Sequence, residues 1–260
     1  MNKVALITGA SGGIGYEFAQ LLAKDQYNLV LVSRSEDKLE HIKKDLENRY
    51  GIQVIQLPWD LSYPETPEKI YEYIKSKKIA VEVLINNAGV GTWGAFAQSD
   101  WKRESATIQI NMVTVAQLIH LFLPNMLRQG KGKILNIAST AAFQPGPLMA
   151  GYYASKAYVL SLSEAIANEI KGSGVSVTTL CPGPTQTGFQ SAASVKPVKL
   201  FSSKKLPTAK DVAEYGYQAM LAGKTIAVHG MKNKILVFLV RFLPRSITTH
   251  LVKKMQESRN

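Results

Sequence analysis

Short apolar runs recur along this chain, and a stretch with helical periodicity follows nearly every one. Val4–Ile7, Leu29–Val32, Val54–Leu57, Val81–Ile85, Lys133–Ile137 and Val175–Leu180 read as buried strands, with Thr225–Val228 a seventh. Helices are expected over Gly13–Lys24, Glu36–Tyr50, Glu65–Ser76, Ser105–Leu127 and Tyr152–Lys171. Strands that stay apolar throughout have both faces covered, which is the pattern of a parallel sheet crossed over by helices. Right-handed crossovers wind such a sheet doubly, with helices on both faces. The expected architecture is therefore α/β, a single-domain Rossmann fold over residues 1–260. A chain of 260 residues can bury one full core of this kind, and no linker divides it.

Composition narrows the setting. Cys181 is the only cysteine, so neither an internal disulfide nor a cysteine-rich zinc site can form. No metal site is expected, and the pattern suits a reducing compartment. The opening run Met1–Ile7 meets glycine at once, which reads as a first strand rather than a signal peptide and places the protein in the cytoplasm. The net charge of +12 is unevenly placed: residues 1–169 hold 17 basic and 16 acidic side chains, residues 170–260 hold 14 and 3, and no acid lies between Glu169 and Asp211. Such asymmetry can face an anionic partner. No nucleic-acid-binding signature accompanies it, so nucleic acid is not among the expected partners.

Directly after the first strand comes Thr8-Gly9-Ala10-Ser11-Gly12-Gly13-Ile14-Gly15, which also opens the first helix. Glycines there let the backbone turn tightly and approach a pyrophosphate, while the helix N-terminus offers unpaired N–H groups. The end of the second strand reads Val32-Ser33-Arg34 and lacks the acid that would hold the ribose hydroxyls of NAD. A guanidinium can grip a 2′-phosphate and a hydroxyl can assist, so the expected cofactor is NADP(H), with Arg34 the discriminator and Ser33 helping. Asp60-Leu61 after the third strand offers an acceptor for the adenine amino group. Asn86-Asn87-Ala88-Gly89 after the fourth combines small residues for close approach with amides that can brace strand ends.

Tyr152 and Lys156 stand four residues apart, about one helical turn, so a phenol and an ammonium share a helix face. A tyrosine with its ordinary pKa of about 10 is a poor acid–base catalyst at neutral pH. A nearby cation is expected to lower that value. Ser139, thirteen residues upstream of Tyr152, supplies a hydroxyl able to hold a carbonyl oxygen beside the phenol.

Taken together, Thr8–Gly15, Asp60, Asn86–Gly89, Asn111, Ser139, Tyr152 with Lys156, and Pro182-Gly183-Pro184-Thr185-Gln186-Thr187 resemble the short-chain dehydrogenase/reductase family, in its order and with its gaps, over residues 3 to about 190. The Arg34 type and the basic C-terminal region are similar to a subgroup of acyl-chain and hydroxysteroid ketoreductases. The resemblance implies that Tyr152 is the general acid in reduction and the base in oxidation. It implies that Lys156 lowers the tyrosine pKa and holds the nicotinamide ribose, that Ser139 holds the substrate oxygen, and that Asn111 anchors a water in a proton relay. Tyr153 and Thr140 adjoin two of these positions, but the family spacing selects Tyr152 and Ser139. Cofactor contacts are implied at Gly9, Ser11, Gly13, Ile14 and Gly15, at Ser33, Arg34, Asp60 and Leu61, and at Asn87, Ala88 and Gly89. Tyr152, Lys156, Pro182, Gly183, Thr185 and Thr187, the last on the nicotinamide carboxamide, complete that set. The implied activity is NADP(H)-dependent interconversion of a ketone or aldehyde and an alcohol by a homodimer or homotetramer. A second reading is a non-catalytic nucleotide-sensing or membrane-associated binding protein on the same fold.

Substrate contacts are expected from a lid over about 188–210, carrying Lys196, Lys199, Lys204 and Lys205, and from walls at Gln144–Met149 and Val90–Phe96 with Trp93. Their apolar character favours a hydrophobic carbonyl compound. A basic helical extension over about 231–260 closes the chain. Its run Ile235–Val240 is too short to span a bilayer, and Ser246 is expected to cap a last helix with Ile247, Leu251, Val252 and Met255 on one face. Either a peripheral membrane contact or packing on the core or a second subunit fits this extension.

Overall fold

Successive residues of each strand point to opposite sides of the sheet, and both sides are covered. Leu6, Val30, Val32 and Leu84 enter one core cluster, while Ala5, Ile7, Leu29, Leu31 and Val83 enter the other. This two-sided burial is why the strands carry no polar alternation. The computed structural model describes residues 3–189 and 206–257. Among these, seven strands form one parallel sheet in the order β3-β2-β1-β4-β5-β6-β7. They are β1 Val4–Thr8, β2 Asn28–Val32, β3 Val54–Leu57, β4 Val81–Asn86, β5 Gly132–Ile137, β6 Val175–Cys181 and β7 Ile226–Val228.

Helices α1 (Gly13–Lys24) and α2 (Glu36–Tyr50) cover one face together with α7 (Ala209–Leu221), through Phe18, Leu22, Leu39, Leu46, Val212 and Tyr217. Helices α3 (Thr66–Ser76), α5 (Thr114–Gln129) and α6 (Ala150–Glu169) cover the other through Ile70, Leu118, Phe122 and Val159. This is the doubly wound fold the strand pattern predicts. The strand order reverses between β1 and β4, and a crevice opens there at the carboxyl ends of the strands.

Three elements differ from expectation. The long helix expected over 105–127 runs unbroken from Trp101 to Gln129, with a π turn at Gln109–Val113 between its α4 (Trp101–Ile108) and α5 segments. The stretch Trp101–Gln129 is long and apolar enough to cross a bilayer by length and composition. It is nonetheless a core helix, because Val115, Leu118, Ile119, Phe122 and Met126 pack into the sheet. Helix α7 follows a capping box missed in the sequence reading: Asp211 N–H donates to the Thr208 hydroxyl at 3.2 Å, and Thr208 N–H donates to Asp211 Oδ2 at 2.9 Å. Lastly, Ser246 caps nothing. The final helix spans Arg245–Gln256 behind Pro244, which puts Ser246 inside its first turn. Much of the expected lid, with Lys196, Lys199, Lys204 and Lys205, lies outside the described residues.

A polar ladder crosses the core below the crevice. Asn86 Nδ2 donates to Asn136 Oδ1 at 2.8 Å, Asn136 Nδ2 donates to Ser163 Oγ at 2.8 Å, and that hydroxyl donates to the Val159 carbonyl at 2.6 Å. All three side chains are buried, so each needs its neighbour. Asn136→Ala strands Asn86 and Ser163 at once and should cost about 2–4 kcal/mol in urea unfolding. A loss of only a few tenths would show that the ladder holds nothing together.

Candidate active site

The crevice is built first from backbone. Gly9 takes φ +65°, and a β-carbon there would stand 2.8 Å from Ala88 Cα and 2.9 Å from Asn87 Nδ2. A β-carbon on Gly15 would run into the same amide and the Gly9 carbonyl. Only hydrogen fits at these two positions, which explains the glycine spacing. The Thr8 hydroxyl accepts from Asn87 N–H at 3.0 Å and Ala88 N–H at 3.1 Å, and Asn87 Nδ2 donates to the carbonyls of Thr8 and Gly9 at 3.1 and 3.0 Å. Thus Asn87 braces the glycine turn, as an amide at a strand end can.

The groups suited to a dinucleotide converge on this turn. Helix α1 starts at Gly13 with no side-chain cap and no acid in its first turn, so no side chain takes up its leading N–H groups. The Ser33 hydroxyl donates to Ser11 Oγ at 2.7 Å, and Arg34 lies 4.0 Å from Asp60 across the ends of β2 and β3. A groove of about 380 Å³ runs beside them, lined by Ser11, Gly12, Lys38 and His41 and also by the acids Asp37 and Asp45. Thr187 closes over α1, 3.5 Å from where a β-carbon of Gly13 would stand. Thr185 turns its hydroxyl onto the Gly183 carbonyl at 2.9 Å, and the Pro182 carbonyl takes Thr140 N–H at 2.9 Å. Ile14 is half-buried against the α1 face of the core, and Leu61 is buried in the opposite core. These donors and this close backbone fit a pyrophosphate and its adenosine end.

A second cluster sits where β5 and α6 meet. Tyr152 is half-buried, with its hydroxyl enclosed beside Ser139, whose own hydroxyl donates to the Pro182 carbonyl at 3.4 Å and accepts Ala141 N–H at 3.1 Å. The hydroxyl of neighbouring Tyr153 is taken by Gln256 Nε2 at 2.8 Å, so the two adjacent phenols face different partners. Lys156 is buried, donates to the Ile137 carbonyl at 2.8 Å, and places its amine 5.7 Å from the centre of the Tyr152 ring. Asn111, in the π turn, accepts Val90 N–H at 3.0 Å and donates to the Val90 carbonyl at 2.8 Å and Ser155 Oγ at 2.9 Å. The Ser155 hydroxyl in turn donates to the Tyr152 carbonyl at 2.7 Å. One side chain therefore ties the loop after β4 to α6. Gly89 adjoins both groups: a β-carbon there would lie 3.3 Å from Lys156 Nζ and 3.6 Å from Asn111 Oδ1.

Burial sets the electrostatics of this cluster. Burial pushes the Tyr152 phenol up to about 12; the Ser139 hydrogen bond pulls the other way and the neighbouring Tyr153 adds to the rise. Burial also drives Lys156 down to about 8. Desolvation is the largest cause at each group, and Lys156 is not among the groups that move the phenol. At neutral pH the pair is a neutral phenol beside a cation.

Several participants escaped the sequence reading. Phe189 packs on Tyr152 with ring centres 5.1 Å apart. Gln256 arrives from the chain's end, and its carbonyl also takes the Trp93 indole N–H at 3.4 Å. No local signal marks it. Ser155 was within reach of the spacing argument, lying beside Lys156. The two expected substrate walls do meet: Gly94 N–H donates to the Leu148 carbonyl at 2.8 Å.

Comparison with known proteins agrees with this geometry. Residues 3–197 match the family model described as short chain dehydrogenase. A ketoacyl reductase of Nostoc sp. is 32% identical over 255 residues, 98% of this chain and 83% of that protein. A short-chain dehydrogenase from Sphingobium yanoikuyae in complex with NADPH superposes with a TM-score of 0.82 at 26% identity, covering 92% of this chain and 94% of that one. A short-chain dehydrogenase/reductase from Burkholderia phymatum in complex with NAD gives 0.81 at 27% identity, covering 100% and 98%.

The depressed Lys156 pKa carries a stability signature. The unfolded chain keeps this proton up to 10.5, whereas the folded site releases it above about 8. Between those limits the unfolded state binds more protons, so stability rises with pH. From neutral pH to the top of that window, wild type should gain on Lys156→Met by about 3 kcal/mol in urea unfolding. A level difference would mean the amine is not desolvated.

Proposed function

The chain belongs to the short-chain dehydrogenase family, a family of nicotinamide-dependent oxidoreductases, and on that premise we propose that it reduces a hydrophobic ketone or aldehyde with NADPH. The observation that carries this reading is the enclosed Tyr152 hydroxyl beside Ser139, next to buried Lys156 and within an apolar cluster of Met149, Tyr153, Val252, Trp93 and Phe189. NADPH, when bound, supplies the hydride.

The chain's own residues handle the oxygen. Tyr152, neutral at physiological pH, has a proton to give as negative charge grows on the carbonyl oxygen, and Ser139 offers a second hydrogen bond to that oxygen. Lys156 supplies positive charge beside the resulting phenolate. Asn111 fixes the Gly89–Val90 loop and the start of α6; its Oδ1 keeps a lone pair for a water shared with the Lys156 amine, the relay implied by the resemblance. A phenol held protonated favours reduction over oxidation. Lys156 keeps its charge only below about 8, so the reductive rate belongs to the neutral and mildly acidic range.

NADP(H) preference rests on Arg34 and Ser33, with no acid at the end of β2. The pair of Arg34 with Asp60 is loose at 4.0 Å, which leaves the guanidinium free to turn to a 2′-phosphate. A cytoplasmic homodimer or homotetramer belongs to the same proposal, supported by Ile108, Val113 and Tyr158 exposed on the outer sides of the α4–α5 stretch and α6. Any membrane contact falls to the C-terminal helices.

Consumption of NADPH with oxoacyl thioesters, steroid ketones and small carbonyl compounds tests the activity. Tyr152→Phe should lower kcat about 10²- to 10⁴-fold while NADPH binding by fluorescence titration survives. Near-normal turnover would remove Tyr152 from the mechanism, and silence of wild type toward every substrate despite tight NADPH binding would favour a nucleotide sensor. Separately, Arg34→Asp should weaken NADPH binding about 10- to 100-fold and spare NADH. An unchanged ratio of the two affinities would exclude Arg34 as the discriminator.

A further inference from the structure

The last two helices present an apolar face to solvent. In α8 (Met231–Val240) the buried position is Val237, and in α9 (Arg245–Gln256) the buried positions are Thr248, Val252 and Gln256. Met231, Ile235, Phe238 and Leu239 recur on one side of α8, continued by Phe242, and all five are 49–70% exposed. Ile247, Leu251 and Met255 repeat the pattern at four-residue steps along the outer side of α9, each 43–48% exposed. A water-facing surface of this kind marks a binding face.

Charge decides what binds it. Lys232, Lys234, Arg241, Arg245, Lys253 and Lys254 frame the apolar stripe, against the single acid Glu257 in residues 231–257. A two-fold contact with a second copy would set this basic frame against itself, and like charges facing each other oppose association. An acidic bilayer accepts both halves: aromatic and branched side chains enter the headgroup boundary, while the flexible basic side chains reach lipid phosphates. Beside that face, where the two helices meet Phe143–Pro145, a cavity of about 210 Å³ lined by Arg241 and Arg245 with the inward Val237 and Thr248 adds a seat for one headgroup at the edge of the surface. Guanidinium forks suit a phosphodiester.

We propose that the outer face of α8 and α9 is a docking surface for an anionic lipid bilayer, with Arg241 and Arg245 receiving a lipid phosphate. The surface goes beyond the oxidoreductase reading and does not depend on it. Its position gives it a use there all the same. The inner side of α9 touches the candidate site through Val252, packed with Met149 and Tyr153, and through Gln256 on the Tyr153 hydroxyl. A bilayer beneath α9 therefore lies next to the apolar end of the crevice, where a carbonyl compound dissolved in lipid could enter.

Co-sedimentation of the full chain with vesicles tests the proposal. Binding is expected to vesicles containing phosphatidylglycerol, to weaken at raised salt, and to be at least tenfold weaker on pure phosphatidylcholine. Phe238→Glu with Phe242→Glu should reduce anionic-vesicle partitioning about tenfold or more, and so should Arg241→Glu with Arg245→Glu. These side chains are exposed, so circular dichroism and NADPH binding should stay unchanged and report intact folding. The proposal is overturned by no binding to anionic vesicles, by equal binding to both lipids, or by binding that survives both double variants. Loss with the phenylalanine pair alone overturns the arginine seat. If wild type ignores vesicles and the phenylalanine pair dissociates an oligomer in light scattering, the face is a subunit contact instead. Since none of these readouts involves turnover, failure here and failure of the reductase reading are distinguishable.

Discussion

Where the chain leaves β1 toward one face of the sheet and β4 toward the other, the backbone groups at the two strand ends run out of ladder partners. Thr8 and Asn87 replace them, the hydroxyl accepting two N–H groups from the β4 side and the amide serving two carbonyls on the β1 side. Everything at the crevice rests on this exchange. It fixes how closely Gly9 and Gly15 approach Ala88 and Asn87, and hence where the free N–H groups of α1 point. Asn111 does the same service one step along, joining Val90 to Ser155 and so the β4 loop to the helix bearing Tyr152 and Lys156. The π turn that carries Asn111 widens an otherwise ordinary helix at one point, and that local cost is offset by three hydrogen bonds.

The protonation state of the site follows from enclosure rather than from pairing. A phenol and an amine one helical turn apart attract only when one is ionised, and burial charges both groups for ionising. Here desolvation wins for each, leaving Tyr152 protonated and Lys156 charged but only by a narrow margin at neutral pH. That state is ready to give a proton, consistent with carbonyl reduction as the proposed direction. The same enclosure surrounds Cys181, whose thiol burial pushes up to about 12, so the lone cysteine is an inert core residue.

Much of this was legible in the chain because it obeys short-range rules. Strands apolar on both faces, a glycine turn between strand and helix, and Tyr152 one turn from Lys156 are each set within a few residues. Helix α7 could have been read as well, from Thr208-x-x-Asp211 before Val212 and Ala213. The meeting of Gln256 with Tyr153 could not, since the two lie 103 residues apart and neither has a local pattern. The burial of the Tyr152 phenol is not legible either: spacing reports the neighbour on the same helix but says nothing of Phe189 and Tyr153 across it.

Sequence alone settled the strand positions and their parallel pairing, the glycine turn, the helical register of Tyr152 and Lys156, and the excess of positive charge near the C-terminus, because these depend on periodicity, backbone conformation and composition. Tertiary structure alone decided the strand order, that Gln256 takes the Tyr153 hydroxyl, that Asn111 ties the loop after β4 to α6, that Lys156 sits close to losing its charge, and that the apolar side of the last two described helices faces outward. Those are matters of what lies across the fold, and desolvation is a property of the surroundings that no single segment carries.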